Sequence, residues 1–216
     1  MVEQGNRKPE AQQDRSRKTE DLILKTALRI LGDAGAAELT TANVSAAAGV
    51  SVGTIYRRFG NKEELLRHTQ SAFLEEFQEY LYQQFSAITA QQAADPKATI
   101  MYVTRAMGMS FYLFRKPLRE LLQVGVQNAR IFEEGHAASV EGGKIFSEMI
   151  LKHRDVIKHA DPETAVDFVY RLTYAAANHR ITQGPTLEST RPISWEDILV
   201  ELGRANASYL LAPLEY

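Results

Sequence analysis

Two short helical segments joined by Gly49-Val50-Ser51 leave this chain few folds to choose from. Thr40 or Thr41 can cap the first segment, and Val44, Ala47 and Ala48 give it a small-residue inner face up to Gly49. Ser51 is placed to cap the second, from about Val52 to Phe59, where Ile55 and Phe59 stand four residues apart on one face. Between them the glycine supplies the left-handed backbone that a tight turn needs. Two short helices meeting at such a turn form a helix-turn-helix.

The second of these helices has the chemistry of a reading surface. An α-helix fits a DNA major groove with its N-terminal residues near the base edges, and the exposed positions there are small or polar: Val52, Gly53 and Thr54, with Tyr56, Arg57 and Arg58 outward. Arg57 and Arg58 point in different directions, so at most one reaches a base and the other meets phosphate or an acidic neighbour. Lys62 and the start of the next helix can hold phosphate. The net charge of −2 argues against a protein that coats nucleic acid over its whole surface. The distribution is uneven, however: residues 1–70 carry 11 Lys and Arg against 9 Asp and Glu, and the remainder 14 against 18. Arg7, Lys8, Arg15, Arg17 and Lys18 fall at the front of the chain.

Helical periodicity accounts for most of the rest. Ile23, Ala27, Ile30, Leu31 and Ala34 predict a first helix from Thr19, stopped at Gly35, while the polar stretch before it reads as a disordered basic arm, residues 1–18. A long helix follows Asn61, with Leu65, Leu66, Thr69, Phe73, Phe77, Tyr80 and Gln84 along one face. After a Gln/Ala break, Asp95-Pro96 opens a helix with Ile100, Val103, Met107, Phe111 and Phe114 inward, interrupted at Pro117. Further helices are expected over 118–126, 129–157, 162–183 and 194–211, with a loop from Gly184 to Pro192. The expectation is an all-α protein of about nine helices: a three-helix helix-turn-helix DNA-binding domain over 19–66, then a larger helical domain over 67–216.

The absence of cysteine removes thiolate nucleophiles, disulfides and cysteine metal sites, and no two histidines stand at a metal-ligand spacing of three or four residues. There is no Gly-rich phosphate loop, no HExxH and no serine elbow, so a helical enzyme fused to a DNA-binding unit is disfavoured. No apolar stretch approaches a membrane span and the N-terminus lacks a secretory core, which points to a cytoplasmic protein with no membrane partner. Neither a cofactor nor a metal is expected.

The run from Gly49 through Ile55-Tyr56-Arg57-Arg58-Phe59-Gly60-Asn61-Lys62 to Glu63-Glu64-Leu65-Leu66, preceded by Leu39-Thr40-Thr41, resembles the signature of TetR-type transcriptional regulators. The resemblance spans about residues 20–67 by motif. It implies that the remainder is a ligand-binding and dimerisation domain. Position by position, it implies phosphate contacts from Thr40, Tyr56 and Lys62, with Thr41 and Ser51 beside them, and a reading face of Val52, Gly53, Thr54, Arg57 and Arg58. Val44, Ile55 and Phe59 match packing positions. Ala42 and Asn43 stand where many members carry longer polar or basic side chains, and Ser45 where alanine is usual.

In the larger domain, Tyr102, Met107, Phe111, Tyr112, Phe132, Tyr170 and Tyr174 suit a mostly apolar pocket, with His136 and Asn178 as further polar handles. Ala175, Ala176 and Ala177, with Ala205 and Ala207, allow close helix approach and suit a four-helix interface between two copies. The resulting expectation is a homodimeric regulator, a repressor that binds a pseudo-palindromic double-stranded operator and is released by an apolar or aromatic small molecule. The alternative is a constitutive DNA-binding adaptor with no small-molecule effector.

Overall fold

The computed structural model describes residues 7–185 and 189–213, and side chains from residue 13 onward. Among the described residues there are ten α-helices and no strand: α1 (Arg7–Ala34), α2 (Thr41–Ala48), α3 (Val52–Phe59), α4 (Lys62–Ser86), α5 (Ala90–Ala94), α6 (Pro96–Leu113), α7 (Arg115–Gly125), α8 (Ala129–Leu151), α9 (Pro162–Gln183) and α10 (Trp195–Leu211). None of them is long and apolar enough to cross a membrane. The chain divides into two compact units, residues 1–73 and 74–216, and the division falls inside the continuous helix α4.

α1 departs most from expectation. It begins at Arg7, so the segment 7–18, read as a disordered arm, is helical; residues 1–6 of that arm lie outside the described residues. Apolar periodicity reports which face is buried, not whether a helix forms, and this segment is rich in Arg, Lys, Glu, Gln and Ala, all good helix formers. Pro9 falls in the first turn, where its missing N–H has no helical partner to lose.

The core of the first unit is the apolar stripe of α1, Ile23, Ala27, Ile30 and Leu31, closed by Leu39, Val44, Ile55, Phe59, Leu65 and Leu66. Ala47, expected on the inner face of α2, is exposed, and Ser45 is buried instead. Helices this short are set by what they pack against rather than by their own propensity.

In the second unit, α5 fills part of the expected Gln/Ala break. Its Thr89 and Gln92 form a reciprocal capping box, a five-residue element too short to show a period. Asp95 then caps α6 through the Lys97 and Ala98 N–H groups, with Pro96 leading. α7 starts at Arg115, so Pro117 sits inside its first turn and opens a helix rather than breaking one. α8 ends at Leu151, short of the expected Ile157, and a 3-10 turn over Arg154–Val156 follows. α9 starts at Pro162 under an Asp161 cap, and α10 at Trp195 under a Ser194 cap. Three residues of the Gly184–Pro192 loop, 186–188, lie outside the described residues.

The core of this unit runs through Phe85, Val103, Met107, Phe146, Ile150, Val166, Val169 and Leu210. Glycines set its closest approaches. A Cβ on Gly143 of α8 would meet the Tyr170 ring of α9 at 2.8 Å, and one on Gly203 of α10 would meet Met101 Cα of α6 at 3.3 Å.

Candidate nucleic-acid interface

The turn between α2 and α3 is fixed by its own residues. Gly49 has φ 66° and ψ 28°, and its N–H donates to the Ser45 carbonyl. The Ser45 hydroxyl, largely buried, donates across the turn to the Val50 carbonyl at 2.6 Å. Thr40 caps α2, accepting from the Asn43 N–H at 3.1 Å, and the Asn43 amide holds both the carbonyl and the carboxylate of Glu38 at 2.9 and 3.0 Å. Ser51 caps α3 by accepting from the Thr54 N–H at 3.1 Å, with the two hydroxyls 2.9 Å apart. Sequence reading assigned Ser45 and Asn43 no such part. The signal was present in Ser45, a polar residue on the buried face of a short helix.

α3 is anchored on one side and bare on the other. Ile55 and Phe59 are buried, and Phe59 meets the His68 ring edge-on at 5.3 Å. Val52 (40% exposed), Gly53, Tyr56 (52% exposed) and Arg57 face outward, and Thr54 is half-buried. Arg57 has no carboxylate partner among the described residues. Lys62, at the first position of α4, is exposed and reaches the Ala37 carbonyl at 3.3 Å; Thr41 is half-buried beside the α2 cap.

Arg58 is the exception. Grouped by sequence with the reading face, it turns inward: Nη2 donates to Ser16 Oγ at 3.0 Å and Nη1 to Glu20 Oε2 at 3.4 Å, with the side chain only 17% exposed. Of the two adjacent arginines, Arg58 is therefore the one that meets an acidic neighbour, because its azimuth on α3 faces α1.

In the second unit the expected pocket residues separate into groups. Phe111 contacts Tyr174 edge-on at 5.5 Å and Phe77 at 5.7 Å; Tyr174 contacts Tyr170, which meets Phe146. Met107 is buried in the same core cluster, and Asn178 is half-buried on α9. Tyr170 donates to the Ser139 carbonyl at 2.5 Å, and burial pushes its phenol up from the ordinary value, so it stays a neutral donor. Tyr102 and Tyr112 lie elsewhere: Tyr102 donates to the Gln84 carbonyl at 2.7 Å, and Tyr112 packs on Trp195. Phe132 (60% exposed) and His136 are on the outer face of α8, stacked on each other, and do not point into the core. Four residues apart on a helix, they share a face, and that face is turned to solvent.

A feature that sequence reading missed lies where α6, α9 and α10 meet. Asn206 is fully buried and donates to Thr104 Oγ1 at 3.1 Å and Thr173 Oγ1 at 3.0 Å. Leu199, Gly203, Asn206 and Leu210 repeat at helical spacing on the buried face of α10, so an asparagine on an apolar stripe was the available signal.

A helix-turn-helix whose second helix presents an exposed outer face has the geometry that enters a DNA major groove, and here it is followed by a larger all-helical unit. Residues 23–69 match the model of the bacterial regulatory proteins of the tetR family, and the described chain has the fold of that family's regulators. A TetR transcription regulator from Haloarcula marismortui is similar at 14% identity, covering 92% of this chain and 100% of its own, with a TM-score of 0.67. The TetR-family regulator PfmR from Thermus thermophilus is similar at 19% identity over 91% and 97%, TM-score 0.60. The fatty acid degradation regulator FadR from Bacillus halodurans is similar at 16% identity over 91% and 100%, TM-score 0.60. These proteins are regulators, not enzymes. No curated protein sequence matches the chain.

Proposed function

We propose that the chain is a homodimeric, ligand-responsive DNA-binding regulator of the cytoplasm, acting as a repressor. The observation that carries this is the outer face of α3: Val52, Gly53, Tyr56 and Arg57 are exposed while Ile55 and Phe59 anchor the helix from behind. Thr54 and Arg57 read base edges; Thr40, Thr41, Ser51, Tyr56 and Lys62 hold the flanking phosphates. Selection of bound DNA from a random pool tests it directly, the expected product being a two-fold pseudo-palindrome.

Dimerisation is supported by the outer faces of α9 and α10. Phe168 (49% exposed), Leu172 (38% exposed) and Ala175 are exposed on α9, and Ala205 on α10, whereas Ala177 and Ala207 are buried within the protomer. Apolar side chains at i, i+4 and i+7 make a stripe that a second copy can cover.

The effector is an apolar, aromatic small molecule bound within the second unit, and it releases DNA by changing the spacing of the two recognition helices. The contacting rings of Phe77, Phe111, Tyr174 and Tyr170 offer ring faces and phenol hydroxyls rather than fixed charge. A phosphate there would leave unpaired polar groups, at roughly 2–7 kcal/mol each. Thermal-shift screening decides: stabilisation by planar apolar compounds that also release DNA supports the assignment, and a response confined to sugar phosphates contradicts it.

A further inference from the structure

α1 first buries an apolar side chain at Ile23, yet its helix begins at Arg7, and every described side chain from Gln13 to Lys18 is exposed. The described side chains of these turns add nothing to the core. They are nevertheless tied to the recognition helix, because Arg58 of α3 donates to Ser16 at 3.0 Å and to Glu20 at 3.4 Å. The same turns carry Arg15, Arg17 and Lys18, none of which pairs with a carboxylate among the described residues. Some exposed cations in the second unit do pair, Arg105 with Glu196, Lys144 with Glu141, Arg171 with Asp167 and Arg204 with Glu201.

We infer that the turn of α1 carrying Arg15, Arg17 and Lys18 is a second site of attachment to the DNA backbone, held beside α3 by the Arg58 latch. The inference rests on the reading of α3 as the groove-binding helix. Successive helical residues are about 100° apart, so the three cations point in three directions and the turn presents positive charge on more than one side. A major groove about 12 Å wide has phosphates along both edges, so a helix latched to one that lies in the groove meets the flanking backbone. Attachment of this kind adds affinity and orientation without reading sequence. Arg58 is then a positioning residue that acts through Ser16 and Glu20.

The test uses the full chain, with anisotropy measured on the duplex it selects from a random pool and on a shuffled duplex, over a salt series. The variant R15Q/R17Q/K18Q keeps good helix formers at exposed positions. Its affinity should fall by a similar factor on both duplexes, with the slope of log affinity against log salt reduced by about 0.9 for each phosphate that is no longer neutralised. R15K/R17K should keep the wild-type slope. S16V removes the hydroxyl that accepts from Arg58 without changing any charge, and should also reduce the slope; a purely structural Ser16 would change the melting temperature alone. Should the triple variant melt early, R15E, R17E and K18E taken singly give the same readout. A wild-type slope in R15Q/R17Q/K18Q, S16V and the single glutamate variants, or a weakening confined to one duplex, overturns the inference while leaving α3 as the reading helix. Failure of the wild-type chain to bind any duplex would overturn the α3 reading itself, and the inference with it.

Discussion

Gly53 occupies the second position of α3, and a Cβ added there would meet nothing closer than Ser51 Oγ at 3.8 Å. Folding alone does not require this glycine, and glycine within a helix costs about 0.5–1 kcal/mol relative to alanine. Gly53→Ala should therefore raise the stability of the free protein by up to about that amount, while weakening DNA binding by blocking close approach to the groove. Thermal melting and anisotropy on the same preparation check both halves; a stabilised variant with wild-type affinity would remove Gly53 from the interface. Around it, Tyr56→Phe and Lys62→Ala should weaken binding to every sequence alike, because phosphate contacts position the protein. Substituting Thr54 or Arg57 should instead change the preference between sequences. Affinities on operator and mismatched duplexes separate the two behaviours, and a Lys62→Ala that altered only preference would refute its phosphate role.

The α2–α3 turn is the element on which that reading face depends. Gly49 has open space around a would-be Cβ, so Gly49→Ala should cost only its left-handed backbone, about 1–2 kcal/mol. Ser45→Ala should cost about 0.5–1.5 kcal/mol by deleting the bond to the Val50 carbonyl. The two act on one turn, so denaturant melts of the double variant should show a destabilisation different from the sum. Gly49, the Ser51 cap and the Ile55–Phe59 anchor were legible in the sequence because each rests on local chemistry within one or two turns. The inward turn of Arg58 was not, since its partners, Ser16 and Glu20, stand on a helix stretch without apolar periodicity. Likewise, Phe132 and His136 have the composition of pocket residues, but only packing decides which face of α8 is covered. At α9, hydrogen bonds from the Thr164 side chain and backbone hold the Asp161 carboxyl below its ordinary range. A depressed folded value means a contribution present above the unfolded pKa and lost as pH falls through the folded one. The difference in melting temperature between wild type and Asp161→Ala should thus be full at neutral pH and shrink in acid below the ordinary carboxylate range. A difference independent of pH would assign the effect to something other than the carboxylate.

Across the whole molecule, reading a two-fold site requires two copies. Leu172 and Phe168 lie four residues apart on α9, exposed in the single chain, and Leu172→Glu would place a charge in the proposed interface. Analytical ultracentrifugation should find a dimer for the wild-type chain and a monomer for Leu172→Glu. The variant monomer should keep its helical content and lose most of its affinity for the paired site. Footprinting of the full chain on the duplex it selects probes paired DNA reading without intermediaries. Two protected half-sites related by a dyad, about one helical turn or a multiple apart centre to centre, is the pattern expected of paired α3 helices. A single asymmetric half-site protected by one copy, or no protection on any selected duplex, would contradict it.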